Sequence, residues 1–350
     1  MPPFILHPDL QSPLPADIEA KVYAGHYEAK AFRPSDFASI PASLWAGASG
    51  LVCYHEVTVN AELLDGMPNC RVVVRAGVGF DNIDLKAAGE RGIAVCNTPD
   101  YGTTDVADHA IALTLGLLRG ITAYNRAIMA DPQKGWRFED APHVRRLSTQ
   151  VFGVVGLGRI GTAAALRAKA LGMRVVFFDP NRTTGTELSL GLERMPSLEA
   201  LLAISDVVSL HTPLSPETKH MMNAETLAQM KPGSVLINTG RGGCVDLAAL
   251  TDALMSGHVA AAGLDVLEAE PPAAASALMA AWRADGSPIR DRLIVTPHAA
   301  FYSPSSLIDL RSKSAATALN YLLTGDSRDC ANRDFLDLAK AGARAAAARA

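Results

Sequence analysis

Short apolar runs rich in Val, Ile and Leu recur along the chain between breaks marked by Gly, Pro, Asn and Asp. They lie at 4 to 7, 49 to 55, 71 to 75, 93 to 96, 151 to 155, 173 to 178, 205 to 211, 234 to 238, 260 to 265 and 293 to 296. Each is too short and too uniformly apolar for an amphipathic helix, so they predict strands buried on both faces. The intervening polarity predicts helices at 15 to 24, from Asn60 onward, at 85 to 91, 162 to 172, 223 to 230 and 246 to 256. Asn60, Asn223 and Asp246 stand where an N-cap acceptor is needed.

Other segments break the alternation. Residues 105 to 118 are apolar on most sides, which predicts a helix buried between domains or subunits, with Thr103 and Thr104 as its cap. Residues 126 to 149 are charged, include Trp136, and read as an irregular excursion. Ser303, Pro304 and Gly325 bracket a long amphipathic helix that should return the chain to its first domain. The Ala- and Arg-rich stretch from 339 to 350 is assigned no function. Strands alternating with helices predict an α/β fold with doubly wound parallel sheets. A chain of 350 residues is long for one core, so two domains are expected, the first ending near residue 103.

The most specific signal is Gly156-Leu157-Gly158-Arg159-Ile160-Gly161 after the run at 151 to 155, followed by an Ala-rich helix and a second strand ending at Asp179. Gly156 permits a tight turn, Gly158 clears the approach of a pyrophosphate, and Gly161 lets helix and strand pack closely. The helix N-terminus offers unpaired N–H groups to the phosphates. A carboxylate at Asp179 suits ribose hydroxyls and repels a 2′-phosphate, which favours NAD over NADP; Arg182 keeps NADP open.

Composition narrows the partners. The formal charge of −4 leaves no basic surplus for nucleic acid. No apolar run is long enough to span a bilayer and the start lacks a charged leader, so a soluble, cytoplasmic protein without membrane association is expected. Five scattered cysteines, with no CxxC, predict reduced thiols rather than disulfides or a metal site. Cys244 reads as a packing residue, and His109 as a satisfied core or interface histidine.

Three polar residues fall just past strand ends, where open α/β sheets bind ligands: Arg241, Glu270 and His298. A guanidinium holds an α-keto carboxylate, a histidine gives its proton to a carbonyl oxygen as hydride arrives, and a neighbouring glutamate favours the charged imidazole. Their ordinary alternatives are a loop cation, a solvated acid and a turn cap.

Five ordered motifs resemble those of D-isomer-specific 2-hydroxyacid dehydrogenases: 75 to 84, 156 to 161, 238 to 246, 263 to 271 and 296 to 298. Tyr54-His55, 92 to 97, 296 to 303 and Cys330-Ala331-Asn332 are most similar to the C-terminal-binding protein branch. The resemblance implies a Rossmann cofactor domain at 104 to 301 inserted into a flavodoxin-like substrate domain at 1 to 103 and 302 to 350. It implies NAD-dependent interconversion of a small 2-keto acid and a D-2-hydroxy acid, with Arg241 binding and polarising the substrate and His298 as acid/base paired with Glu270. Arg75, Gly77, Val78, Gly79 and Phe301 are then substrate residues. Val78, Thr104, Gly156, Gly158, Arg159, Ile160, Gly161, Asp179, His211, Thr212, Pro213, Thr218, Thr239, Gly240 and Asp265 are cofactor residues. A homodimer is expected from the segments at 105 to 118 and 126 to 149. The animal branch has Trp where Phe301 stands, and its long tail has no counterpart after Ala350, which weighs against the alternative of an NAD(H)-sensing, peptide-recruiting protein.

Overall fold

The computed structural model describes residues 2–12, 14–141 and 143–337; the Ala- and Arg-rich stretch from 339 lies outside them. The chain forms two compact units, one of residues up to Gly102 and from Ser303 onward, the other Thr103–Tyr302.

Among the described residues, the sheet of the first unit has five parallel strands: β1 (Phe4–His7), β2 (Glu28–Ala31), β3 (Gly50–Cys53), β4 (Val72–Arg75) and β5 (Ala94–Asn97). Their order, β2-β1-β3-β4-β5, is the flavodoxin-like one. β1, β3 and β4 are fully buried, as their largely apolar residues dictate. β2, with sequence EAKA, was not anticipated, because at the sheet edge it is only partly covered and needs no apolar run. Asn60 caps Ala61–Asp65 by accepting from the Leu63 amide at 2.9 Å.

The helix Pro304–Thr324 packs Leu310, Ala315, Ala318 and Leu322 into this unit's core against β3 and β4. Ser303 and Ser306 cap it reciprocally, and Gly325 ends it at φ 75°. Arg311 reaches back to the helix Asp17–Tyr23, donating from Nε and Nη2 to the Glu19 carboxylate at 2.8 and 2.6 Å. Both side chains are buried, so this bidentate pair ties the last long helix to the first.

Among the described residues, the second unit holds seven parallel strands: β6 (Val151–Val155), β7 (Arg174–Phe178), β8 (Glu193–Arg194), β9 (Val207–Leu210), β10 (Ser234–Asn238), β11 (Val259–Leu264) and β12 (Leu293–Val295). In the order β12-β11-β10-β9-β6-β7-β8, the chain builds outward from β6 and then crosses back to lay β9 on its other side. This is the Rossmann arrangement with one added strand, and its switch point falls at the end of β6.

The helix Thr103–Leu118 buries Val106, Ala110, Leu113 and Leu117 within this unit, against β10, β11 and the helix Arg159–Ala170. It begins at Thr103, so the two threonines are its first turn rather than a cap. The expected irregular excursion is corrected at its start: Ile121–Ala130 is helical, set off by Gly120 at φ 64°. Short helices at Ala42–Gly47, Leu198–Ile204 and Ala277–Arg283 were also not anticipated. All five cysteines are free thiols.

Candidate active site

Because every strand pair in the second unit is parallel, all its strands deliver their carboxyl ends to one edge, and the loops there carry the residues singled out above. At the end of β6, Gly156 has φ 89°. A Cβ on Gly161 would stand 2.0 Å from the Gly156 carbonyl oxygen, so these two glycines are dictated by the turn itself. Gly158 differs, since a Cβ there meets nothing within 4 Å. The fold alone gives no reason for a glycine at 158; a phosphate group laid against the backbone does. Arg159 and Ile160 open the helix Arg159–Ala170 just beyond it.

Asp179 follows β7 and is only 11% exposed. Its Oδ2 accepts from the Leu157 amide at 2.8 Å and its Oδ1 from the Asn181 amide at 2.9 Å, binding the second strand to the glycine turn. Arg182 lies 3.8 Å from this carboxylate and donates from Nε to the Leu157 carbonyl at 2.5 Å.

After β9, His211 sets Nε2 2.8 Å from the Ser209 hydroxyl, and burial pushes its pKa down to about 4, so the ring is neutral. Thr218 closes the next turn, donating to the Pro213 carbonyl at 2.6 Å and accepting from the Ser215 amide. Thr212 packs its hydroxyl 3.7 Å from the buried Cys244 sulfur. After β10, Asn238 clamps the turn: Oδ1 accepts from the Gly240 amide and Nδ2 donates to the Arg241 carbonyl, each at 3.0 Å. Thr239 is buried, and its hydroxyl has no hydrogen-bond partner among the described residues, which fits a site that completes itself with a bound polar group. A Cβ on Gly242 would strike the Leu267 carbonyl carbon at 2.0 Å, so this glycine lets the Arg241 loop lie directly on the loop that leads to Glu270.

Glu270 Oε2 lies 2.6 Å from His298 Nδ1, while Glu270 Oε1 accepts from the Leu267 amide at 2.9 Å. Both side chains are about one-third exposed, so the pair is formed yet reachable. His298 sits at φ 51°, a conformation rare for a residue with a Cβ. Phe301 stands edge-on to the imidazole with ring centroids 6.4 Å apart. Asp265, read from sequence as a cofactor residue, turns its carboxylate to the Thr296 hydroxyl and the Ala299 and Ala300 amides. Thr104 occupies the first turn of the helix Thr103–Leu118.

Arg75, Gly77, Val78 and Gly79 belong to the other unit, at the carboxyl end of β4. Gly77 has φ 149°, and a Cβ there would stand 1.6 Å from Arg75 Nη1, so the glycine makes room for the guanidinium. Two residues to which the sequence assigned no role in the site hold this loop: Asn97 donates to the Val78 carbonyl at 2.6 Å, and the Thr98 amide to the Gly77 carbonyl at 3.0 Å. Beside Arg75, burial pushes Asp9 up to about 6 while its oxygens accept from the Tyr54 amide.

Residues 111–300, over half of the chain, match the D-isomer specific 2-hydroxyacid dehydrogenase family, NAD binding domain. The chain belongs to this family. Among D-isomer-specific 2-hydroxyacid dehydrogenase relatives, it is 40% identical over 257 residues to a D-3-phosphoglycerate dehydrogenase of Mycobacterium bovis. That alignment takes in 72% of this chain but only 45% of the relative, so the chain spans about half the relative's length. A D-lactate dehydrogenase of Aquifex aeolicus, solved with NAD and lactic acid, is similar at 28% identity and TM-score 0.79, covering 92% of this chain and 96% of that one. An NADPH-dependent glyoxylate/hydroxypyruvate reductase of Sinorhizobium meliloti, solved with NADP and malonate, is similar at 30% identity and TM-score 0.78, covering 95% and 98%. Among the described residues, no single helix is long and apolar enough to cross a membrane.

Proposed function

We propose that the chain is an NAD-dependent oxidoreductase interconverting a small 2-keto acid and the D-2-hydroxy acid. The observation that carries this reading is the Glu270–His298 pair at 2.6 Å on strand-end loops of the same unit as the glycine turn. The cofactor supplies or accepts the hydride; this chain's residues bind, orient and move the proton. With Nδ1 engaged by the carboxylate, Nε2 is the nitrogen that gives a proton to the carbonyl oxygen in reduction and takes it back in oxidation. Glu270 fixes the ring and stabilises the positive charge of its protonated form. Arg241 holds and polarises the keto acid. In the other unit, Arg75 with Gly77, Val78 and Gly79 is assigned a part in recognising the carboxylate. Phe301 is assigned to the substrate, which makes side-chain size at that wall a determinant of preference.

The residues that hold the cofactor in this reading are Gly156, Gly158, Arg159, Ile160 and Gly161 at the pyrophosphate, Asp179 at the ribose, and Val78, Thr104, His211, Thr212, Pro213, Thr218, Thr239, Gly240 and Asp265 along its length. NAD is preferred because a carboxylate at Asp179, held on the Leu157 amide, would repel a 2′-phosphate, while Arg182 is drawn onto the Leu157 carbonyl. The first unit acts as the substrate domain and the second as the cofactor domain, in an enzyme of the cytoplasm. Met129, Trp136 and Phe138, each more than three-quarters exposed, support a homodimer covering this segment, which light scattering at micromolar concentration tests. The likeness to the C-terminal-binding protein branch keeps a second reading, a cofactor-sensing protein that recruits peptides. The carboxylate-oriented imidazole is an arrangement suited to moving a proton, and for that reason the enzyme is favoured. Turnover of a panel of 2-keto acids with NADH and with NADPH tests the reading; no turnover with any member overturns it.

A further inference from the structure

Two side chains to which the proposed reaction assigns no part, His109 and Thr296, lead through Asp265 to the turn that carries His298. His109, on the helix Thr103–Leu118, places Nε2 3.0 Å from the Thr296 hydroxyl and 3.7 Å from Asp265 Oδ1. The Thr296 hydroxyl donates to Asp265 Oδ1 at 2.5 Å. The Asp265 carboxylate, in a residue 2% exposed, accepts from the Ala299 amide through Oδ1 and the Ala300 amide through Oδ2, both at 2.9 Å. The backbone carbonyl of Asp265 accepts from the His298 amide at 2.8 Å. One residue therefore holds three successive amides of the turn that presents the imidazole.

That turn needs holding. His298 adopts φ 51°, a costly conformation that persists only where the surroundings impose it. A threonine hydroxyl has one proton, and while Asp265 receives it the contact on the other side of the oxygen must come from a donor. His109 with its proton on Nε2 supplies that donor; a ring without it would draw the Thr296 proton away from the carboxylate. A buried carboxylate short of a donor is costly, and the cost would fall on the turn it organises.

We infer that His109 is a positioning residue for His298, acting through Thr296 and Asp265 to fix the 298 to 300 turn. The inference rests on the reading of His298 as acid/base, but its structural half is measured without turnover. The alternative, that His109 merely fills space in an apolar helix face, predicts that a leucine serves as well.

The test uses the full chain with three substitutions. His109→Leu keeps volume and removes the donor, His109→Gln restores an N–H donor, and Thr296→Val cuts the same link with no change in the helix. Hydrogen exchange of peptides spanning the 296 to 302 turn should quicken about tenfold in His109→Leu and Thr296→Val, the effect of about one lost buried hydrogen bond, and return to the parent rate in His109→Gln. On the best 2-keto acid, kcat should fall by a similar factor of about ten in the first two, with KM and NADH affinity within about threefold, and recover in the glutamine variant. Unchanged exchange in His109→Leu, or a glutamine variant as impaired as the leucine one, overturns the inference. If the parent turns over no 2-keto acid, the functional reading fails, while the exchange rates still decide the positioning role.

Discussion

Glu270 Oε2 stands 2.6 Å from His298 Nδ1, and the two residues reach that distance from different strand-end loops. Glu270 follows β11 and His298 follows β12, adjacent parallel strands in register through Leu264 and Val295. The pairing of an acid with a base 28 residues away is thus a product of parallel sheet geometry rather than of local chain conformation.

Replacing His298 with Ala should lower kcat on the best 2-keto acid by about 10²- to 10⁴-fold, the range of general acid/base catalysis, and leave NADH binding intact. Glu270→Gln keeps a hydrogen-bonding group of the same shape but not the charge that the imidazolium faces, so it should fall between parent and His298→Ala. Steady-state kinetics with a fluorescence titration of NADH separate the effects. An alanine variant with parental turnover removes His298 from the mechanism.

The glycine turn offers a separation of fold from binding. Gly158→Ala meets no atom within 4 Å, whereas Gly161→Ala puts a Cβ 2.0 Å from the Gly156 carbonyl oxygen. Gly158→Ala should keep the parental thermal midpoint and weaken NADH binding at least about tenfold, while Gly161→Ala should lower both. Parental NADH affinity in Gly158→Ala would place the pyrophosphate elsewhere.

Much of this was legible in the sequence because the signals were local. The buried runs at β1, β4 and β10 carry their strand assignment in their own residues, as do the caps Asn60, Asn223 and Asp246. What stayed hidden depended on partners far away in the chain. β2 is a strand only because β1 lies beside it, and Asn97 holds the Val78 carbonyl only because β4 and β5 are neighbours. That the Asp265 carboxylate faces Thr296 and the 299 to 300 amides is likewise something no spacing foretells.

The Arg311–Glu19 pair tests how the two ends of the first unit are joined. Both groups are buried, so Arg311→Met strands a carboxylate among apolar side chains and should cost about 3 to 5 kcal/mol. The double variant Arg311→Met with Glu19→Leu should recover most of that loss, since the cost lies in the unpaired charge. Urea titration of the three proteins measures both. A single variant as stable as the parent would show that the pair contributes nothing.

His7 makes stability depend on pH in a calculable direction. Burial pushes its pKa down from 6.5 to about 4, against a smaller opposing effect of Glu19, and its Nε2 lies 2.8 Å from the Tyr23 hydroxyl. Between these two values the unfolded chain binds a proton that folded His7 refuses, so its contribution is intact above pH 6.5 and is lost as pH falls towards about 4. The loss amounts to about 3 kcal/mol at most. Asp9 opposes it in the same unit: burial raises its pKa from 3.8 to about 6, so over that range the folded state binds the extra proton and stability falls as pH rises. His7→Gln preserves a hydrogen-bonding group for Tyr23 and removes the titration. The gap between variant and parent thermal midpoints should therefore move in the variant's favour as pH drops from 7 to 4. A gap that stays constant across that range would mean that His7 is not held neutral in the folded protein.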